Sequence, residues 1–201
     1  MINFSYFGDI ADINPVAITD IDFFDKVRKG AWRQVIEELR QLPEEEQAAA
    51  KRRLPLVTIS AICKGGRSAG KVKRHSGLLC LDFDYKDNAD HPDFANLKQK
   101  LAENPFVRGV ATSCRGKGYM VVIPLRMPQR HEEQAQAAFF YFATKMGLVA
   151  DTQCLDIARA RFVTYDAEAY FNADAKPFPY VLDKSAQRGA ERPKTAAMES
   201  N

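Results

Sequence analysis

Two aspartates, Asp82 and Asp84, close an apolar run that reads Ser76-Gly77-Leu78-Leu79-Cys80-Leu81-Asp82-Phe83-Asp84. Such a run reads as a strand buried on both faces. Alternate strand residues share a face, so the two carboxylates project together. Side by side they repel, and they resist burial unless a cation sits between them. A hard divalent ion, Mg²⁺ or Mn²⁺, is the usual remedy because it takes oxygen ligands. The competing reading of a bare Asp-x-Asp is that the acids mark where a strand leaves the core for solvent. The order of elements around the pair decides between the two.

From residue 77 onward that order is informative. A strand over 77–85 is followed by a helix that Pro92 begins, with Phe94, Leu97 and Leu101 on one face. A second strand over 107–112, a turn of Ser113, Cys114, Arg115, Gly116, Lys117 and Gly118, and a third strand over 119–125 come next. A long helix over about 132–146 ends at Gly147, and a fourth strand is expected at about 161–164. This is β-α-β-β-α-β, so the fold class is α+β with a ferredoxin/RRM-like βαββαβ core. That topology puts the first strand in the middle of the sheet, between the third and the fourth. Asp82 and Asp84, the 113–118 turn and the 156–161 segment then converge, which brings Asp156 and several bases to the acid pair.

The preceding residues read as a helical and strand extension, with 1–75 the extension, 76–172 the core, and 1–183 a single domain. Thr19 caps a helix, with Asp22 three residues on. Two helices broken near Gly30 follow, then a third with Pro43 at its first position. Residues 56–62 form one strand by β-branched content, and 64–74 a Gly-rich basic loop. From 184 the chain is polar and aperiodic, as a disordered tail or linker is.

The 201 residues carry a formal charge of only +3, so no global basic field demands nucleic acid. The bases are clustered instead, as Lys51, Arg52 and Arg53, then Lys64, Arg67, Lys71, Lys73 and Arg74, and the cluster could face phosphates. Four cysteines without a C-x-x-C and three histidines that do not pair with them argue against a zinc site. Scattered thiols, the absence of a signal-like N-terminus and the lack of any apolar run of membrane length lead to a cytoplasmic expectation.

An Asp-x-Asp with a third carboxylate meets the requirement of two-metal phosphoryl or nucleotidyl transfer. Glycines in the 113–118 turn let backbone N–H groups approach phosphate, and Arg115, Lys117, Arg159 and Arg161 add charge. With Leu54-Pro55, Ser60, Arg67, the Ser76–Asp84 run, Ser113-x-x-Gly116-Lys117-Gly118, and Asp156-Ile157-Ala158-Arg159-x-Arg161-Phe162-Val163-x-Tyr165-Asp166 before Tyr170 and Asn172, the chain resembles the VirE N-terminal-domain type of primase-polymerase-like module. That group belongs to the archaeo-eukaryotic primase superfamily and occurs in mobile-element and phage proteins, often ahead of a helicase domain.

The resemblance implies a metal-dependent nucleotidyltransferase working with Mg²⁺ or Mn²⁺ and NTP or dNTP on single-stranded DNA or a primer-template, in the replication of a mobile element, phage or plasmid. It assigns metal and catalysis to Asp82, Asp84 and Asp156, with Asp151 the competitor for the third place. Nucleotide phosphates fall to Ser113, Arg115, Lys117, Gly118, Arg159 and Arg161, and the nucleic acid to Lys64, Arg67, Lys71, Lys73 and Arg74. The family's second motif usually carries a histidine that contacts the nucleotide. Here Met120, or Tyr119, stands in that register, and Met cannot usefully hydrogen-bond a phosphate. Two alternatives follow: a non-catalytic nucleic-acid-binding module that serves a helicase, and a two-metal nuclease.

Overall fold

The computed structural model describes residues 1–182, and the tail expected from residue 184 lies outside them. The protein is α+β, with three antiparallel sheets and five α-helices among those residues. The first sheet begins with a hairpin of β1 (Asn3–Phe7) and β2 (Val16–Thr19). Thr19 ends β2 and caps α1 (Asp20–Lys29). Its Oγ1 accepts from the Asp22 N–H at 3.0 Å and donates to Asp22 Oδ2 at 2.7 Å. Gly30, at φ 78°, takes the left-handed turn that closes α1, and α2 (Arg33–Gln41) follows. In α3 (Glu44–Lys51), three glutamates fill the first turn and Lys51 the last, which complements the helix dipole. Pro43 stands at the N-cap, one residue before its expected place.

Residues 56–62 do not make one strand. They split at Ile59 and Ser60 into β3 (Leu56–Thr58) and β4 (Ala61–Cys63), which join different sheets. The corner is held by Thr58 Oγ1 donating to Ala61 O at 3.0 Å and Ser76 Oγ donating to Ile59 O at 2.6 Å. Residues 64–74 are not all loop either: β5 (Val72–His75) pairs with β4, so the basic stretch is largely the tip of a hairpin.

The second sheet is built from β6 (Leu78–Asp84), β7 (Gly109–Thr112) and β8 (Gly118–Pro124). As the apolar run implies, β6 is buried on both sides. Leu79, Leu81 and Phe83 pack with Leu97 and Leu101 of α4 (Leu97–Ala102) and with Ala135 and Phe142 of α5 (His131–Met146). Leu78 and Cys80, with Met120 and Val122 beside them, pack against Phe24, Ile36 and Leu39 from α1 and α2. The helix that Pro92 was expected to open starts later, with a short 3-10 turn at Phe94–Asn96 before α4.

The fourth strand corrects the expected topology. β9 (Arg161–Phe162) pairs with β3 in the first sheet, whose order is β2-β1-β3-β9. A further strand, β10 (Tyr170–Phe171), joins β7, and the second sheet runs β10-β7-β8-β6. β6 is therefore at an edge and not in the middle. Its free edge is covered piecemeal: the Asp151 N–H donates to Asp82 O at 3.0 Å, and Arg161 Nη2 donates to Cys80 O at 3.2 Å. Strand propensity at 161–164 reported an extended segment but not its partner. Among the described residues no helix is long and apolar enough to cross a membrane.

A histidine pair ties β5 to the start of α5. Gly77 N–H donates to His75 Nδ1 at 2.8 Å, which places the His75 proton on Nε2, facing His131 Nδ1 at 2.9 Å. Burial, then the neighbouring His131, pushes His75 down to about 4. The unfolded chain therefore takes up this proton first as the pH falls below about 6.5. The pair contributes stability that is present above that pH and is lost as the pH falls through about 4. Urea midpoints should decline between those values in the wild type and decline less in His75→Gln; equal slopes would remove His75 from the account.

Candidate active site

The end of β6, the β7–β8 turn and the 151–162 segment face a single open cleft of ≈ 530 Å³. Asp82 and Asp84 point into it from alternate positions of β6, and Asp151, Asp156, Arg159 and Arg161 line the facing wall. Ser113 and Arg115 enter from the turn, and Arg67 from the tip of the β4–β5 hairpin. The three sequence-distant pieces meet as expected, although the topology that brings them together differs from the one anticipated.

Arg161 is the anchor. It is only 5 % exposed, and its Nε lies 3.3 Å from Asp82 Oδ2. Its Nη2 donates to Cys80 O at 3.2 Å and to Cys154 Sγ at 2.9 Å. Burial pushes the Asp82 carboxyl above the usual carboxylate range; Arg161 opposes the push, and the charges of Asp84 and Asp151 add to it. The Asp82 side chain still keeps 24 % of its surface open to the cleft. Asp151 accepts from Arg159 at 3.3 Å and from the Gln153 N–H at 2.9 Å. Asp156 is exposed and accepts from the Ala158 N–H at 2.9 Å. Of the two competitors for the third acid, Asp151 is the one whose charge is felt at Asp82.

The β7–β8 turn is positioned by a residue that sequence reasoning did not single out. Arg40 of α2 donates to Ser113 O at 3.0 Å, Cys114 O at 3.2 Å and Tyr165 O at 3.0 Å. A lone arginine on an amphipathic helix carries no signal of such a role. Gly118 stands opposite Asp84 in the ladder, where a Cβ would lie 2.6 Å from Phe83 O. Close strand approach accounts for that glycine.

Lys117 lies outside the cleft and pairs with Glu44 at 2.8 Å. Lys64, Lys71, Lys73 and Arg74 also lie outside its lining, all exposed on the hairpin. Asp166 clamps the end of β7, accepting from the Thr112 N–H at 2.7 Å and from Lys98 at 2.7 Å. Met120 is 4 % exposed, packed in the core at the cleft floor. Residues not assigned to the site beforehand also line the cleft: Lys51 and Arg52 from the end of α3, and Ile10 from the β1–β2 hairpin.

Among the described residues, no three acidic, histidine or cysteine side chains stand together as a ready metal-holding group. The donors that are present are carboxylates, which suit a hard divalent ion. One oxygen of Asp82 is engaged by Arg161, and Asp151 is engaged by Arg159.

An α+β chain with an acid-and-arginine cleft at a strand end is thus the class that the structure defines. The chain belongs to the family described as BT4734-like, N-terminal domain, whose model matches residues 49–171, more than half of its length. The matched span holds every cleft residue except Ile10 and Ala48. No curated protein matches the chain, and no solved structure does.

Arg161→Met strips Asp82 of its buried counter-ion and should cost about 3–5 kcal/mol near pH 7. A carboxyl raised above its unfolded value is costly while ionised, and the cost is relieved as the pH falls and a proton neutralises it. The stability gap between variant and wild type should therefore narrow as the pH is lowered from 7 in urea denaturation. A gap of constant size would show that Asp82 is not the group left unpaired.

Proposed function

We propose that the cleft is a metal-dependent nucleotidyl-transfer site of the primase-polymerase type, acting on DNA with NTP or dNTP. The observation that carries this reading is the meeting of Asp82 and Asp84 with Asp151, Asp156, Arg115 and Arg159 around one open cavity. Paired carboxylates would hold Mg²⁺ or Mn²⁺, and the ion would lower the charge of the triphosphate and orient its α-phosphorus. Asp82 and Asp84 would supply the first ligands and Asp151 or Asp156 the third, once released from Arg159 or from its own turn. Arg115 and Arg159 suit phosphate oxygens by their forked geometry. In this reading Arg161 is the counter-ion that holds Asp82 in place, and the phosphate contacts belong to the other arginines.

The fold supports the reading in part. β6, α4, β7, β8 and α5 follow the βαββα order of a ferredoxin-like unit, with β8 between β7 and β6. The last strand has moved to the first sheet.

A second reading, a nucleic-acid-binding module without turnover that serves a helicase, is favoured by Met120 on the cleft floor and by the Asp82–Arg161 pair. Titration calorimetry separates the two. Wild type should bind a nucleoside triphosphate with Mn²⁺ and lose that binding in chelator, and Asp84→Ala should weaken it at least about tenfold, which is about 1.4 kcal/mol. DNA binding by a chain that binds no nucleoside triphosphate, with or without Mn²⁺, would favour the second reading. Cleavage of DNA with metal and no nucleotide would convert the assignment to a two-metal nuclease.

A further inference from the structure

The cleft is lined by charges of both signs. Asp82 and Asp84 come from β6, and Asp151 and Asp156 come from the segment that also brings Arg159 and Arg161, while Lys51, Arg52 and Arg67 come from the end of α3 and the tip of the β4–β5 hairpin. None of these three cations has a carboxylate partner among the described residues. Arg67 is half-buried, and its Nε is buried with no hydrogen-bond partner. A buried donor left unmet is costly, and a bound acceptor relieves the cost. Lys51 is held in place by its ammonium lying 5.0 Å from the centroid of the Phe162 ring, itself part of the cleft.

We propose that Lys51, Arg52 and Arg67 form a lip that grips the phosphodiester backbone of a single nucleic-acid strand. The positive surface does not stop at the cleft. From Arg67 it continues along the same hairpin to Lys73 and Arg74, both exposed and both outside the cleft lining. A mononucleotide ends inside the cavity, whereas a strand has phosphates to offer along that whole track. The inference rests on the nucleotide-handling reading only for what the strand does once bound; the grip itself requires neither metal nor nucleotide.

The test is therefore run in chelator. Fluorescence anisotropy of a labelled oligothymidylate would be followed against salt concentration for wild type, Arg52→Ala, the triple variant Lys51→Ala/Arg52→Ala/Arg67→Ala, Asp84→Ala and Lys145→Ala. Each single-strand phosphate contact contributes about 0.7 to the slope of log affinity against log salt. The slope should shrink by about 0.7 for exposed Arg52→Ala and by about 2 for the triple variant, with affinity down at least about tenfold. Lys145→Ala, on α5 and outside the cleft lining, should match wild type. Asp84→Ala, which leaves the Arg161–Asp82 pair intact, should keep strand binding even if it loses nucleotide, so failure of the transfer reading leaves this result standing. Wild-type slopes in folded lip variants, or no strand binding by wild type at low salt, would overturn the proposal. So would variants that lose metal-dependent triphosphate binding and keep the wild-type slope for the strand, since the lip would then hold the nucleotide.

Discussion

The buried contact between Arg161 and Asp82 holds the two sheets in register at the cleft. β6 is an edge strand, and an uncovered edge presents unpaired backbone groups. The guanidinium covers part of that edge through Cys80 O, while the strand that carries it, β9, is paired to β3 in the other sheet. One side chain thereby links the acid-bearing strand to the first sheet. Breaking such a pair from one side leaves an uncompensated charge, which makes it a strong constraint on geometry whatever its net worth. The same contact fixes where Asp82 points, into the cleft with Asp84 two residues on.

Around that anchor, charge is arranged unevenly. Asp82 and Asp151 each have an arginine, and the Asp156 carboxylate caps its own turn. Lys51, Arg52 and Arg67 have no such partner among the described residues. Carboxylates and unpaired cations lining one cleft suit a ligand that carries phosphates and shares a divalent ion with the acids. The open mouth gives such a ligand a way in. The turn that brings Arg115 is pinned by Arg40, so the site draws on α2 as well as on the sheet.

Much of this was legible in the sequence because it is local. The Asp82–Asp84 spacing, the apolar run before it, the cap at Thr19 and the long α5 each follow from neighbours within a few residues. The convergence on one cleft was expected from element order, but through a fourth strand beside β6 that the structure pairs with β3 instead. What the sequence did not show are long-range choices. The partner of β9, the corner that splits 56–62, and the role of Arg40 each depend on a hydrogen bond to a residue far away in the chain. Lys117 shows the same limit in the site: its position in the turn suggested phosphate, but Glu44 from α3 claims it. Arg161 was read as a phosphate ligand from its charge, its place before the fourth strand and the family resemblance, and only its burial reveals the carboxylate it serves.

The central claim, that the acid pair at the end of β6 holds the ion that meets the nucleotide, is tested most directly by anomalous diffraction from crystals grown with Mn²⁺ and a non-hydrolysable nucleoside triphosphate. A manganese peak bonded to the carboxylates of Asp82 and Asp84 is expected, with triphosphate oxygens completing its shell. A nucleotide bound in the cleft with no manganese at those two residues, or manganese and nucleotide both bound elsewhere, would contradict it.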